Sequence, residues 1–250
     1  MDENHIKLSL KDGVRKIVIN RPKKRNAFTQ EMYRDLTNVL NQDATNDKIV
    51  CTILTGSGEF FSSGNDFLSA MQADQETVFE GPKNLIQAFI DYPKLLIAVI
   101  NGPAIGVAAT TAALCDIVYA SDKAYFETPF VKLGLCPEGC SSYLYPQIFG
   151  RSKASEALLL GKRISAQEAN QCGLISAVIP HKNLEEFITE LYKYGSLPPK
   201  AVKMSKKLIM HHLKNVLNET TTLEIEGLKQ HDPEEFSQAM MNFMQRKSKL

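Results

Sequence analysis

The sequence predicts an α/β fold on three observations: short β-rich runs alternate with amphipathic segments, small-residue turns follow several of those runs, and the end of the chain turns helical. Ile6, Leu8 and Leu10 alternate with polar residues, Asp12-Gly13 supplies a tight turn, and Lys16 to Asn20 is β-rich, so the chain opens on a hairpin. Thr29 can cap a helix whose Met32, Leu36, Val39 and Leu40 share one face, and Ile49 to Thr55 reads as a buried strand ending at Gly56. The alternation continues with a helix near Asn84 to Tyr92, a strand from Leu95 to Ile100, a small-residue helix after Gly106 and a strand from Asp116 to Ala120. Ser165-Ala166-Gln167-Glu168 is a capping box that starts a further helix, and Gly173 is its stop. After Gly195 the composition shifts: Pro198 and Pro199 break the chain, and Lys200 to Leu250 is rich in Lys, Met, Leu and Glu with only Pro233 as an internal breaker. The expected division is a core over residues 1–195 and a helical subdomain over residues 196–250.

The chain has 250 residues and 44% hydrophobic content, enough for a sizeable core. Its 29 basic and 28 acidic residues leave a formal charge of +1, so no sequence-wide field draws it to nucleic acid. Five cysteines scattered in apolar surroundings suit buried thiols in a reducing compartment better than a disulfide framework. Cys136 and Cys140 lie close together, but a structural zinc takes about four ligands and no second pair accompanies them, so no metal is expected. The longest apolar stretch, Leu95 to Ala120, is interrupted by Asn101, Gly102, Pro103, Thr110, Thr111 and Asp116, which argues against a membrane span. The chain ends in Ser248-Lys249-Leu250, the tripeptide read by the peroxisomal import receptor, so the peroxisomal matrix is the expected location.

Several common sites are missing: no G-x-x-x-x-G-K-[ST] loop, no G-x-G-x-x-G after a strand, no G-x-S-x-G elbow and no H-E-x-x-H. The five histidines lie outside the glycine-bearing segments and read as solvated or structural. Three segments stand out, each expected directly after a strand: Phe60 to Phe67, Asn101 to Val107, and Leu135 to Ser142. Glycine there lets backbone amides approach a ligand, although ordinary turns use the same residues.

Taken together and in order, these segments resemble the crotonase (enoyl-CoA hydratase/isomerase) superfamily. The resemblance is carried by Asn20-Arg21-Pro22 with Asn26-Ala27, Ser63-Gly64-Asn65-Asp66, Asn101-Gly102-Pro103-Ala104-Ile105-Gly106, Cys115-Asp116-Ile117-Val118-Tyr119-Ala120, and Ala124-Tyr125-Phe126 with Pro129. It implies a ββα spiral core with a helical tail, assembly as a trimer or a dimer of trimers, and an acyl-CoA thioester whose carbonyl is held by two backbone N–H groups. Those groups map to Asn65 and Val107, where Gly64 and Gly106 clear space and a helix begins. Such a donor contributes about 3 kcal/mol to transition-state stabilisation. Coenzyme A belongs to the substrate, and no separate cofactor is implied.

The hydratases of this family work with two glutamates, and the matching positions here are Thr110 and Phe130, neither of which can move a proton. Efficient hydration is therefore not expected. One acid remains, Glu138, in a segment matching the peroxisomal Δ3,Δ2-enoyl-CoA isomerases, where a single glutamate is the base. A composition-only reading would leave Glu138 facing water; its apolar neighbours Leu135, Cys136, Tyr143 and Leu144 would instead raise its pKa. The resemblance places Lys23, Lys24 and Arg25 near the coenzyme A phosphates, where a solvated loop is an equal reading of each charge. Ala27, Ser63, Gly64, Asn65, Asp66, Phe67, Gly106 and Phe130 complete the candidate substrate-binding set. Met71, Phe79, Leu85 and Phe89 could border the acyl chain or equally be ordinary core. The rivals are a non-catalytic crotonase-fold coregulator module and a dienoyl-CoA isomerase, whose further acidic residues have no match here.

Overall fold

In the computed structural model, which describes residues 5–72 and 75–247, the chain winds through repeated strand, strand, helix turns. Asp12 and Gly13 take left-handed φ angles of 50° and 75°, as a two-residue hairpin turn requires, and join β1 (Ile6–Lys11) to β2 (Val14–Ile19). Thr29 accepts a hydrogen bond from the Met32 amide and so caps α1 (Gln30–Thr45), which buries Met32, Tyr33, Leu36 and Leu40. Val39 packs against the same core partly buried, as expected, and Tyr33 joins that face as well. Then follow β3 (Cys51–Gly56), α2 (Phe67–Gln72), α3 (Gln75–Asp91), β4 (Leu95–Ile100), β5 (Ala104–Ile105) and α4 (Val107–Ala112). The next turns are β6 (Ile117–Ser121), β7 (Tyr125–Glu127), α5 (Ser141–Phe149) and α6 (Arg151–Leu160). The chain continues through β8 (Ile164–Ser165), α7 (Ala166–Gln171), β9 (Ala177–Ile179) and α8 (Leu184–Glu190), and ends in α9 (Pro199–Met210), α10 (Leu213–Lys229) and α11 (Pro233–Lys247). Ser165 and Glu168 form the expected reciprocal cap on α7. The Ser248-Lys249-Leu250 tripeptide lies outside the described residues.

The larger sheet has the order β1-β2-β3-β4-β6-β9 and is parallel from β2 onward. A parallel sheet needs cover on both faces, and the strands alternate accordingly. In β4, Leu96, Ala98 and Ile100 join the main core with α1, α3 and α4, while Ile97 and Val99 face a second cluster with Leu184, Ile188 and Leu191 around α8. The smaller sheet, β5-β7-β8, sits one step along the spiral, so the loops after β3 and β4 reach the same place.

Two buried asparagines pin those loops. Asn26, fully buried at φ 55°, accepts from the Arg21 amide at 2.8 Å and donates to the carbonyls of Ser57 and Phe60 at 2.9 and 2.7 Å. Asn101 accepts from the Gly56 amide and donates to the Gly58 carbonyl, both at 2.9 Å. Deleting the Asn26 carboxamide would leave the Arg21 amide and the Ser57 carbonyl without this partner, while the Phe60 carbonyl keeps the Asn101 side chain at 3.3 Å. We therefore expect Asn26→Ala to destabilise the fold by about 3 kcal/mol in urea titration; a loss below about 1 kcal/mol would show that water replaces those bonds.

Candidate active site

The loop after β3 and the loop after β5 meet through glycine. Ile105 N–H donates to the Ser62 carbonyl at 3.0 Å, and Gly64 has φ 83°. A Cβ on Gly64 would stand 2.7 Å from the Ile105 carbonyl oxygen, so only a bare backbone lets the loops lie this close. On either side of Asn65 the backbone is committed: Phe28 N–H binds the Gly64 carbonyl and Asp66 N–H binds the Phe28 carbonyl, both at 2.8 Å. Gly106 N–H likewise donates to the Glu127 carbonyl at 2.8 Å. The amides of Asn65 and Val107 have no acceptor among the described residues. Gly106, at φ 59° and ψ −129°, would put a Cβ into open space.

Glu138 faces this place. Its loop leaves a single 3-10 turn at Val131–Leu133, not a strand as the sequence suggested, and it turns through Gly139 and Cys140 at φ 71° and 60°. Gly139 lies on α4 at Thr110, whose hydroxyl a Cβ would meet at 2.2 Å. Thr110 is fully buried and spends its hydroxyl on the Val107 carbonyl, and Phe130 is buried apolar wall. Neither supplies a proton carrier.

Glu138 is 6% exposed. Burial is the main reason its carboxyl rises to about 7; the nearby Glu224 raises it further, and a hydrogen bond from the Asn65 side chain opposes both. The Tyr33 hydroxyl donates to Asn65 Oδ1. That fixes the carboxamide with its N–H₂ toward Glu138. Apolar neighbours in sequence were thus only part of the reason for the shift. The Tyr33 hydroxyl, the Asn65 side chain and Glu224 were not found from sequence.

The remaining candidates separate into lining and scaffold. Lys23, Lys24 and Arg25 are exposed on the turn after Arg21, with the Arg25 guanidinium 5.2 Å from the Phe60 ring centre. Ser63 N–H donates to the Arg25 carbonyl at 2.9 Å, tying this loop to Gly64. Ala27 is buried and its carbonyl takes a bond from Arg21. Asp66 pairs with Arg21 at 2.5 Å and accepts from the amides of Leu68 and Ser69, so its side chain shapes the loop. Burial pushes that carboxyl up, but Arg21 and the two amides hold it below the usual range. A recess of about 340 Å³ beside it is lined by Arg21, Lys24, Thr29 and Ser69. Phe67 opens α2 half-buried. Leu85 and Phe89 belong to the main core, and the side chain of Met71 lies outside the described residues. A separate groove of about 600 Å³ between α1 and α3 is lined by polar groups such as Gln30, Arg34 and Asn84 and lacks Glu138 and both amides.

A two-sheet ββα spiral whose loops present paired free amides beside a buried carboxyl is a crotonase-type fold. The family model described as enoyl-CoA hydratase/isomerase matches residues 9–249. A crystal structure of enoyl-CoA hydratase/isomerase from Pseudoalteromonas atlantica T6c superposes with a TM-score of 0.90 at 31% identity, over 97% of this chain and 98% of that one. Enoyl-CoA delta isomerase 2 of Rattus norvegicus is 43% identical over 95% of this chain, which spans 63% of that relative's length. Enoyl-CoA delta isomerase 3, peroxisomal, of Mus musculus is 41% identical over 99% of this chain and 80% of the relative. The chain belongs to the enoyl-CoA hydratase/isomerase family.

Proposed function

We propose that the protein converts 3-enoyl-CoA to trans-2-enoyl-CoA, with Glu138 as the single base and the amides of Asn65 and Val107 as the oxyanion hole. The reading is carried by a buried carboxyl near neutrality, beside two unclaimed amides, with no second proton carrier at Thr110 or Phe130. In the first step the Glu138 carboxylate removes a proton from C2, and the electron pair moves through the thioester to give a dienolate. Negative charge on the thioester oxygen is then met by fixed N–H dipoles. In the second step the Glu138 carboxyl returns the proton to C4, and the double bond forms between C2 and C3. Atoms and charge balance without water or a redox partner. Hydration would need a group to activate water and a second one to protonate carbon.

Conversion of a 3-enoyl-CoA, followed by absorbance of the conjugated product, tests this reading. Because the base works only when ionised, kcat/KM should rise tenfold per pH unit on the acid side and level near pH 7. Tight binding without conversion would favour the coregulator reading; 3-hydroxyacyl-CoA as the main product would favour a hydratase.

A further inference from the structure

The loop that carries Glu138 is held from outside. Cys140 sits at the N-terminal end of α5 in a left-handed conformation, φ 60°, without a side-chain cap of its own. For a residue with a Cβ that conformation persists only when surroundings fix it. Here α10 does so. Glu224 accepts from the Cys140 amide at 2.7 Å, from the Ser142 amide at 2.9 Å and from the Ser142 hydroxyl at 2.6 Å. One helical turn earlier, the Thr221 hydroxyl lies 3.2 Å from Cys140 Sγ, and two turns earlier the Leu217 carbonyl is 3.4 Å from the same sulfur. Gly227 admits Cys136, whose sulfur would stand 3.2 Å from a Cβ there.

We propose that Glu224 is a positioning residue for the reaction: its carboxylate clamps the 138–142 loop so that Glu138 stays over the amides of Asn65 and Val107. Its negative charge also opposes ionisation of Glu138. The inference rests on the isomerase reading above. The two acids are not equivalent. Glu224 is buried but takes three donors at a helix N-terminus, which favour its charged form; Glu138 has the Asn65 carboxamide alone. Burial raises the Glu224 carboxyl, and the Ser142 hydroxyl and the amides of Ser142 and Cys140 oppose that rise. The groups facing Glu138 are Tyr33 from α1, Asn65 from the loop after β3, Glu224 from α10, and Cys136 on its own loop, while the Cys140 sulfur turns to Thr221 and Leu217 of α10. The α4 face contributes none that titrate.

The pH profile of kcat/KM for 3-enoyl-CoA, taken on the wild type, Glu224→Gln, Glu224→Ala and Glu138→Gln, tests the assignment. Glu224→Gln keeps an acceptor for Ser142 but removes the charge, and its acid limb should move down by about one pH unit. Glu224→Ala also removes the clamp and should lose at least tenfold in kcat with KM within twofold, while circular dichroism stays native. If the acid limb of Glu224→Gln coincides with that of an active wild type, the assignment is overturned. An inactive wild type, or an active Glu138→Gln, overturns the isomerase reading first, and the inference with it. Should Glu224→Ala unfold, the limb of Glu224→Gln alone decides.

Discussion

Glu138→Gln should lose about 10⁴-fold in kcat, the upper end of what one acid–base group contributes, because in the proposed mechanism Glu138 alone moves the proton. The same substitution stabilises the protein, and the sign follows from the protonation states. Folded Glu138 holds its proton up to about pH 7, against an ordinary 4.5. Between those values the unfolded chain binds fewer protons than the folded one, so stability falls as pH rises through this window. Gln cannot ionise and escapes the loss. The wild type and the variant should agree near pH 4 in this respect and differ by up to about 3 kcal/mol at pH 8, with the variant more stable. Paired urea titrations at the two pH values, alongside the turnover assay, check both halves. A variant that is inactive and no more stable at pH 8 would mean that Glu138 is not desolvated in solution. A variant that is active would mean that another group moves the proton.

What could be read from the sequence was local. The Thr29 cap, the strand from Leu95 to Ile100 and the capping box at Ser165 all stand as expected, because each depends on neighbours a few positions away. The helix expected near Asn84 begins at Gln75 instead, with Pro82 inside it. Gly81-Pro82 looks like a breaker, yet Gly81 is there to let α1 approach: a Cβ would meet Gln30 Oε1 at 2.6 Å and Tyr33 Cβ at 3.3 Å. Helices α5 and α6 went unassigned because Pro146 and Gly150 interrupt a segment whose helicity comes from packing against its neighbours.

The candidate site divides the same way. Asn65, Val107 and Glu138 lie in glycine-bearing segments that the chain order made visible. Glu224 acts on a loop 84 residues away from it, a separation no local pattern encodes. One signal was present: Leu217, Thr221, Glu224, Ile225 and Leu228 are buried on one face of α10, and an acid in such a stripe must meet donors or stay neutral. Tyr33 was hidden differently. It belongs to the buried face of α1 as an aromatic, and only the fold shows its hydroxyl reaching Asn65.

Gly64→Ala should lower kcat/KM by about 10²- to 10³-fold, the scale of losing one oxyanion donor. The added methyl would lie 2.7 Å from the Ile105 carbonyl oxygen, 3.4 Å from its carbon and 3.7 Å from Gly106 Cα. All three are main chain and none can swing aside. At φ 83° the residue is also in a conformation that L side chains avoid, so local strain adds about 1–2 kcal/mol to the cost of folding. Relief comes from parting the loops after β3 and β5 by several tenths of an ångström. That movement carries the Asn65 amide away from the Val107 amide, and a donor that stabilises charge by direct contact loses most of its effect when the geometry opens. Thermal unfolding and circular dichroism on the same sample separate this from loss of fold. If the folded variant turns over within twofold of the wild type, these two amides do not jointly hold the thioester oxygen, whatever Glu138 does.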